Sequence, residues 1–317
     1  MIVAVQDDIR EEIMSVKACK SLAVSLIAAS AMIGAPAMAA STINVAVAAN
    51  FAGAMTALIA QFKLTYPTKG YNVTFTADSS ANLLTAIQNK TASYDLFLSA
   101  DATRPNTLTT SSFNTSLGVP GKCTTVCGSG APFLYAVGTL ELWSPTVATV
   151  ANGLSTTVPF SPPIVIADPT KAPYGYAAQQ VLAYSPWSFP RNSSLTAACP
   201  DPNTGASNPN CLKQDPTNGL FTQGNISLTY SAVKSGAYQS GFVAQSQICK
   251  ANTSGVKTFT GYHHTYPATG PYLNGPIKQW GITITSYAAG TELADFLTFL
   301  SSATGQAIVK SYCYSLS

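Results

Sequence analysis

The spacing of apolar and polar positions changes period at Asn50. Before it, Ile43, Val45 and Val47 alternate as in a buried strand; after it, Phe51, Ala54, Met55, Leu58, Ile59 and Phe62 recur at three and four, the spacing of a helix with one apolar face. Asn is among the best N-cap residues, so the pattern predicts a strand, a corner at Asn50, and a helix whose first N–H groups point out of the carboxyl end of the strand. In open α/β sheets ligands sit at that end, and a helix N-terminus there favours an anion through unpaired donors and the macrodipole.

The same corner recurs three times. Residues 71–76 alternate as a strand and run through Asp78 into Ser79 and Ser80, after which Leu83, Leu84 and Ile87 resume helical spacing, with Ser79 or Ser80 as the natural cap. Residues 164–167 form a buried strand leading through Asp168 to Ala172-Pro173-Tyr174-Gly175, where Pro173 suits the first turn of a helix. Gly224-Asn225-Ile226-Ser227 opens a fourth helix carrying Leu228, Ala232 and Val233.

Between these corners, residues 94–99 are almost wholly apolar and read as a central, parallel strand. Residues 133–143 read as one long strand able to carry the chain into a second lobe, and residues 187–224 as an inserted loop pinned by a disulfide. Further strands are predicted at 241–244 and 277–284, and a closing helix pair on Leu293, Phe296, Leu297, Leu300 and Ile308. Strands alternating with helices, with two traverses, predict an α/β chain of two doubly wound lobes joined by a strand hinge. Lobe 1 is expected over 40–136 and 278–317, and lobe 2 over 137–277.

Composition adds a compartment. Only 9% of residues are charged, against about a quarter in ordinary soluble domains. Lys17 and Lys20 precede an apolar run over 22–34 and then Ala35-Pro36-Ala37-Met38-Ala39-Ala40, the order of a secretory signal peptide with cleavage near Ala39. Four acidic residues before Met14 are unusual in such a segment and suggest that translation starts at Met14. The run is too short to span a bilayer, which needs about 20 residues. A periplasmic or otherwise exported protein is expected.

Six cysteines follow the signal, which in an exported chain argues for disulfides, although six allow 15 pairings. Cys123 with Cys127 and Cys199 with Cys211 are the local choices, leaving Cys249 with Cys313; zinc is disfavoured by spacing and by the absence of a nearby His. Asn-x-Ser/Thr triplets at Asn72, Asn89, Asn114, Asn192, Asn225 and Asn252 are taken as incidental to a Ser/Thr-rich chain.

Enzyme chemistry is not assembled anywhere in the sequence. There is no Gly-x-Ser-x-Gly elbow and no phosphate-binding glycine fingerprint. His263 and His264 are adjacent, hence divergent, with no carboxylate nearby in sequence, and are read as surface residues; Asp101 is read as a cap. A net charge of +3 without a Lys/Arg cluster excludes a nucleic-acid footprint.

Seven collinear pieces then carry a resemblance: Val47-Ala48-Ala49-Asn50-Phe51, Ser79-Ser80, Leu98-Ser99-Ala100-Asp101, Leu140-Glu141-Leu142-Trp143-Ser144, Asp168-Pro169 with Ala172-Pro173-Tyr174-Gly175, Gly241-Phe242-Val243-Ala244, and Pro276-Ile277-Lys278-Gln279. Across residues 42–314 the chain resembles the periplasmic molybdate-binding proteins of ABC importers, within the type 2 periplasmic-binding-protein fold. The resemblance implies a monomeric binding protein, not an enzyme. It would capture molybdate or tungstate as cargo between two lobes, without a cofactor or metal cation, and deliver it to a transporter permease in the membrane. It places ligand-binding sites at Ala49, Asn50, Ser79, Ser80, Tyr174 and Ile226. Asn50 and Ser80 would donate from side chain and backbone, Tyr174 and Ile226 from backbone N–H.

The same fold binding a different anion or a small organic acid is the alternative. The loops at 118–130 and 186–222 are longer and richer in cysteine than is usual in that family. Two residues in the site depart from its pattern. Ala49 offers only its N–H, and Asp78 stands where a small neutral residue is usual. A carboxylate within about 4–6 Å of a dianion repels it unless the side chain turns aside or caps the helix.

Overall fold

The computed structural model describes residues 42–109, 132–189, 197–202, 204–212, 214–284 and 291–317. The expected signal peptide, the Met14 start, the Cys123–Cys127 pair and the loop at 118–130 lie outside the described residues.

Two five-stranded sheets organise the chain. The first contains β1 (Thr42–Ala48), β2 (Asn72–Asp78), β3 (Leu96–Ser99), β4 (Phe133–Gly138) and β14 (Ile277–Thr283) in the order β2-β1-β3-β14-β4. β1 pairs parallel with β2 and β3, whereas β14 is antiparallel to both β3 and β4. So β3 is central, as its apolar run requires, but parallel on one side only. The second sheet has the order β13-β5-β10-β6-β9, from β5 (Leu140–Ser144), β6 (Ile164–Ala167), β9 (Leu220–Gln223), β10 (Ser240–Ala244) and β13 (Tyr262–Tyr266).

Helices cover the sheets because each presents one apolar face. In α1 (Ala52–Thr65), Ala54, Met55, Leu58 and Phe62 are buried against Val45, Val47, Phe296 and Phe299. α7 (Glu292–Ser301) and α8 (Ala303–Ser311) complete that core, and α2 (Ser80–Gln88) covers the other face through Leu83 and Ile87. α3 (Thr103–Thr107) follows β3. In the second lobe α4 (Pro173–Ala183) and α5 (Ile226–Lys234) lie over opposite faces, α4 on the cluster of Ile166, Val181 and Phe242, α5 on that of Val165, Val233 and Val243.

The long apolar run at 133–143 is two strands, not one. It breaks at Thr139, whose carbonyl accepts the N–H of Gln245 at 2.9 Å, so β4 stays in the first sheet and β5 enters the second. Gly138 is required at this crossing, since a Cβ there would run into the Tyr174 hydroxyl. The chain returns between Tyr266 and Ile277.

Both remaining disulfide expectations are met. Cys199–Cys211 closes a hairpin of β7 (Ala197–Pro200) and β8 (Ser207–Cys211), so the inserted loop is pinned and has strand structure of its own. Cys249 ends α6 (Gln245–Ile248) and opens β11 (Cys249–Ala251), which pairs with β12 (Lys257–Phe259). Its partner Cys313 lies just before Ser315, which is bonded to Val137 on the crossing strand. This disulfide therefore joins the two lobes beside the crossing.

Candidate functional site

The four helix starts meet at one place. A small cavity between the sheets is lined by Ala48, Ala49 and Asn50 after β1, by Asp78, Ser79 and Ser80 after β2, and by Ala100 after β3. Ala172, Pro173 and Tyr174 at the start of α4, and Asn225 and Ile226 at the start of α5, close it from the second lobe. All six residues expected to bind ligand are on its wall. Its volume is ≈ 10 Å³, about the least that one water-sized occupant needs. A larger cavity of ≈ 440 Å³ in the second lobe, lined by residues such as Leu142, Val150, Phe160 and Ser240, has no converging helix ends and no charged group.

Local chemistry explains three of the four starts. Ser79 is extended and its side chain accepts the Asn82 N–H, so it caps α2. Asn225, also extended, accepts the Leu228 N–H and caps α5. Pro173 occupies the first turn of α4, where a missing N–H costs nothing. Gly175 lets that turn approach β6, because a Cβ would collide with the Ala167 carbonyl. First-turn N–H groups have no intrahelical acceptor; the caps take those of Asn82 and Leu228, and the Lys171 carbonyl takes that of Ala81.

Asn50 corrects the expectation. It lies inside a 3₁₀ turn (Ala49–Phe51) that leads into α1, and it caps nothing. Both protons of its side-chain amide are engaged, donated to Gln279 Oε1 at 2.8 Å and to the Tyr314 hydroxyl at 2.9 Å. In this arrangement neither side-chain proton of Asn50 is left for a ligand. The Oγ of Ser80 accepts the Ala100 N–H at 3.0 Å, a bond that does not use the hydroxyl proton. The N–H of Ser79 is taken by Asp78 Oδ1 at 2.6 Å, so Ser79 has its hydroxyl to offer.

Behind the cavity runs a buried polar network that sequence reasoning missed. Gln279 accepts from Asn50 and donates to the Tyr174 hydroxyl at 3.2 Å; the Tyr135 hydroxyl is 3.1 Å from Gln279 Oε1, and Ser246 Oγ donates to the Asn50 carbonyl. The available signal was Gln279 itself, a polar residue two positions after Ile277 and so on the buried side of β14. Burial pushes the phenols of Tyr135, Tyr174 and Tyr314 far above their ordinary value, and that of Tyr266 up to about 12. The network is therefore neutral throughout the physiological range. A raised phenol pKa leaves stability undiminished below pH 10 and removes it as pH climbs toward the folded values. Denaturant midpoints are expected to fall above pH 10, with the phenolate absorbance of the buried tyrosines appearing only as the chain unfolds.

No Lys or Arg lines the cavity. Arg104 is buried in an ion pair with Asp101, whose Oδ1 also accepts the Arg104 N–H and so caps the turn that leads into α3; Ala102 is the N-cap of the helix itself. Lys171 is half exposed and pairs with Asp168 at 3.4 Å. His263 departs from its surface reading: its Nδ1 is 3.1 Å from the fully buried carboxylate of Glu141, 122 residues away in sequence. Among the described residues no group of three or more His, Cys, Asp or Glu could hold a metal ion, and no helix is long and apolar enough to cross a membrane.

Several contacts tie the lobes together around the cavity. Ala81 N–H donates to the Lys171 carbonyl at 3.1 Å, Ser227 Oγ to the Ala49 carbonyl at 2.9 Å, and Asn225 Nδ2 to Asp78 Oδ1 at 2.9 Å. The helix starts of the two sheets are thus held face to face around the cavity.

Comparison with known proteins agrees with this geometry. The family model described as bacterial extracellular solute-binding protein matches residues 43–315. The molybdate-binding protein ModA of Azotobacter vinelandii is 29% identical over 279 residues, covering 87% of this chain and 91% of that protein. ModA of Rhodobacter capsulatus is 29% identical over 276 residues, covering 87% and 89%. The solved structure of the Azotobacter vinelandii periplasmic molybdate-binding protein superposes with a TM-score of 0.63 at 26% identity, covering 87% of this chain and 99% of that one. The two-lobed α/β architecture is that of the type 2 periplasmic binding proteins. With the family model spanning both sheets and all four helix starts, the chain belongs to the bacterial extracellular solute-binding proteins.

Proposed function

We propose that this protein captures a tetrahedral oxyanion, molybdate or tungstate, between its lobes and delivers it to the permease of an ABC importer. The observation that carries this reading is the convergence of four helix starts from both lobes on one small cavity without a cationic side chain. Each helix end contributes about 0.3–1 kcal/mol to anion binding, and up to about 2 when partly buried. Added to charge-assisted hydrogen bonds from the Ser79 and Ser80 hydroxyls and the N–H groups of Ala49, Asn50, Tyr174 and Ile226, this supports micromolar or tighter binding, about 8 kcal/mol. The relatives named molybdate-binding protein support the choice of anion.

In this reading residues 1–39 direct export and are removed, and the mature monomer works in the periplasm. Lobe 1 comprises 40–136 and 278–317, lobe 2 comprises 137–277, and the anion is cargo rather than cofactor. Calorimetric titration is expected to show micromolar or tighter binding of molybdate and tungstate and at least a hundredfold weaker binding of sulfate, the smaller dianion. Absence of heat with all three removes the reading.

A further inference from the structure

One charged side chain stands on the cavity wall, and its sign is wrong for an anion site. Asp78 ends β2, and three N–H groups hold its carboxylate: Oδ1 accepts from Ser79 N–H at 2.6 Å and from Asn225 Nδ2 at 2.9 Å, and Oδ2 accepts from Asn82 Nδ2 at 3.0 Å. Two of these donors belong to the first lobe and the third to the cap of α5 in the second. The side chain therefore does not swing away into solvent. It also takes up one amide, that of Ser79, which a ligand would otherwise use.

We propose that Asp78 is a specificity-determining residue of the cleft, a resident carboxylate through which the site discriminates among oxyanions by charge. The inference rests on the oxyanion reading above. Coulomb repulsion scales with the charge of the ligand, so of two anions with one shape the dianion is disfavoured twice as strongly as the monoanion. The opposing effect of Asp78, its bond across the cleft to Asn225, favours closure over any ligand alike. Charge discrimination and simple latching are therefore separable by changing ligand charge at constant shape.

Molybdate and perrhenate, a tetrahedral dianion and a monoanion of similar size, supply the test. Their dissociation constants are measured for the wild type, Asp78→Ala and the near-isosteric Asp78→Asn at one pH and ionic strength, with thermal melting to confirm folding. Asp78→Asn keeps an acceptor for Ser79 and Asn225, so it guards against misfolding of the alanine variant. Both variants are expected to bind molybdate at least tenfold more tightly than the wild type, about 1.4 kcal/mol, with a smaller gain for perrhenate. Molybdate affinity that is unchanged or lower in Asp78→Asn overturns the proposal, as does an equal gain for both anions; either result leaves the oxyanion reading standing. Failure of the wild type and both variants to bind either anion removes both.

Discussion

Ile226→Pro is expected to weaken oxyanion binding about ten- to a hundredfold, the loss of one hydrogen bond to a charged partner worth about 1.5–3 kcal/mol. Ile226 is the first residue of α5, and its N–H has no acceptor within the helix. Proline is tolerated at that position, with its fixed φ already helical. The preceding residue must be extended, and Asn225 has φ −153° and ψ 172°. The substitution thus deletes a donor while keeping the helix. It also trims a buried side chain that packs with Tyr174 and Ala49, so Ile226→Ala is the control: it loses the packing and keeps the N–H. Calorimetric titration with molybdate is expected to separate the two variants by about tenfold or more. Equal affinities would show that this amide does not hold the ligand.

The second large effect concerns stability. Asp101→Ala is expected to destabilise the protein by about 3–5 kcal/mol, because it leaves the Arg104 guanidinium buried without its counter-charge. For a chain of this size that is a fall in Tm of roughly 10 °C. Asp101 is fully buried and Arg104 nearly so, which separates this pair from the exposed ion pairs that contribute little. Arg104 also reaches the Thr170 carbonyl at 3.5 Å, next to the turn that starts α4. Thermal melting tests the change directly. Replacing both partners with apolar residues is expected to restore much of the lost stability, since no unpaired charge then remains.

Helix starts were legible in the sequence to the extent that their signals are local. Ser79, Pro173 and Asn225 act within three residues of themselves, through a side-chain cap or a fixed φ, and each stands where the pattern places it. Asn50 carries the same local preference, but its partners Gln279 and Tyr314 lie 229 and 264 residues away, and two buried hydrogen bonds outweigh a cap. For the same reason the carboxylate beside His263 was invisible: Glu141 arrives only when β13 pairs with β5. The apolar run over 133–143 was recognised as strand, yet periodicity has no term for a change of sheet. The break at Thr139 is made by Gln245, which no window of sequence around it contains.

By itself, then, the sequence determined where strands give way to helices, which ends carry unpaired amides, and that no cationic or nucleophilic cluster accompanies them, because these depend on neighbours within a turn or two. Only the tertiary structure decided that the four ends face one another, that Asp78 is held by donors from both lobes, and that Asn50 turns its side chain inward. Those outcomes depend on contacts between segments far apart in the sequence, such as Ala81 with Lys171 and Asp78 with Asn225, whose geometry is fixed by how the two sheets pack.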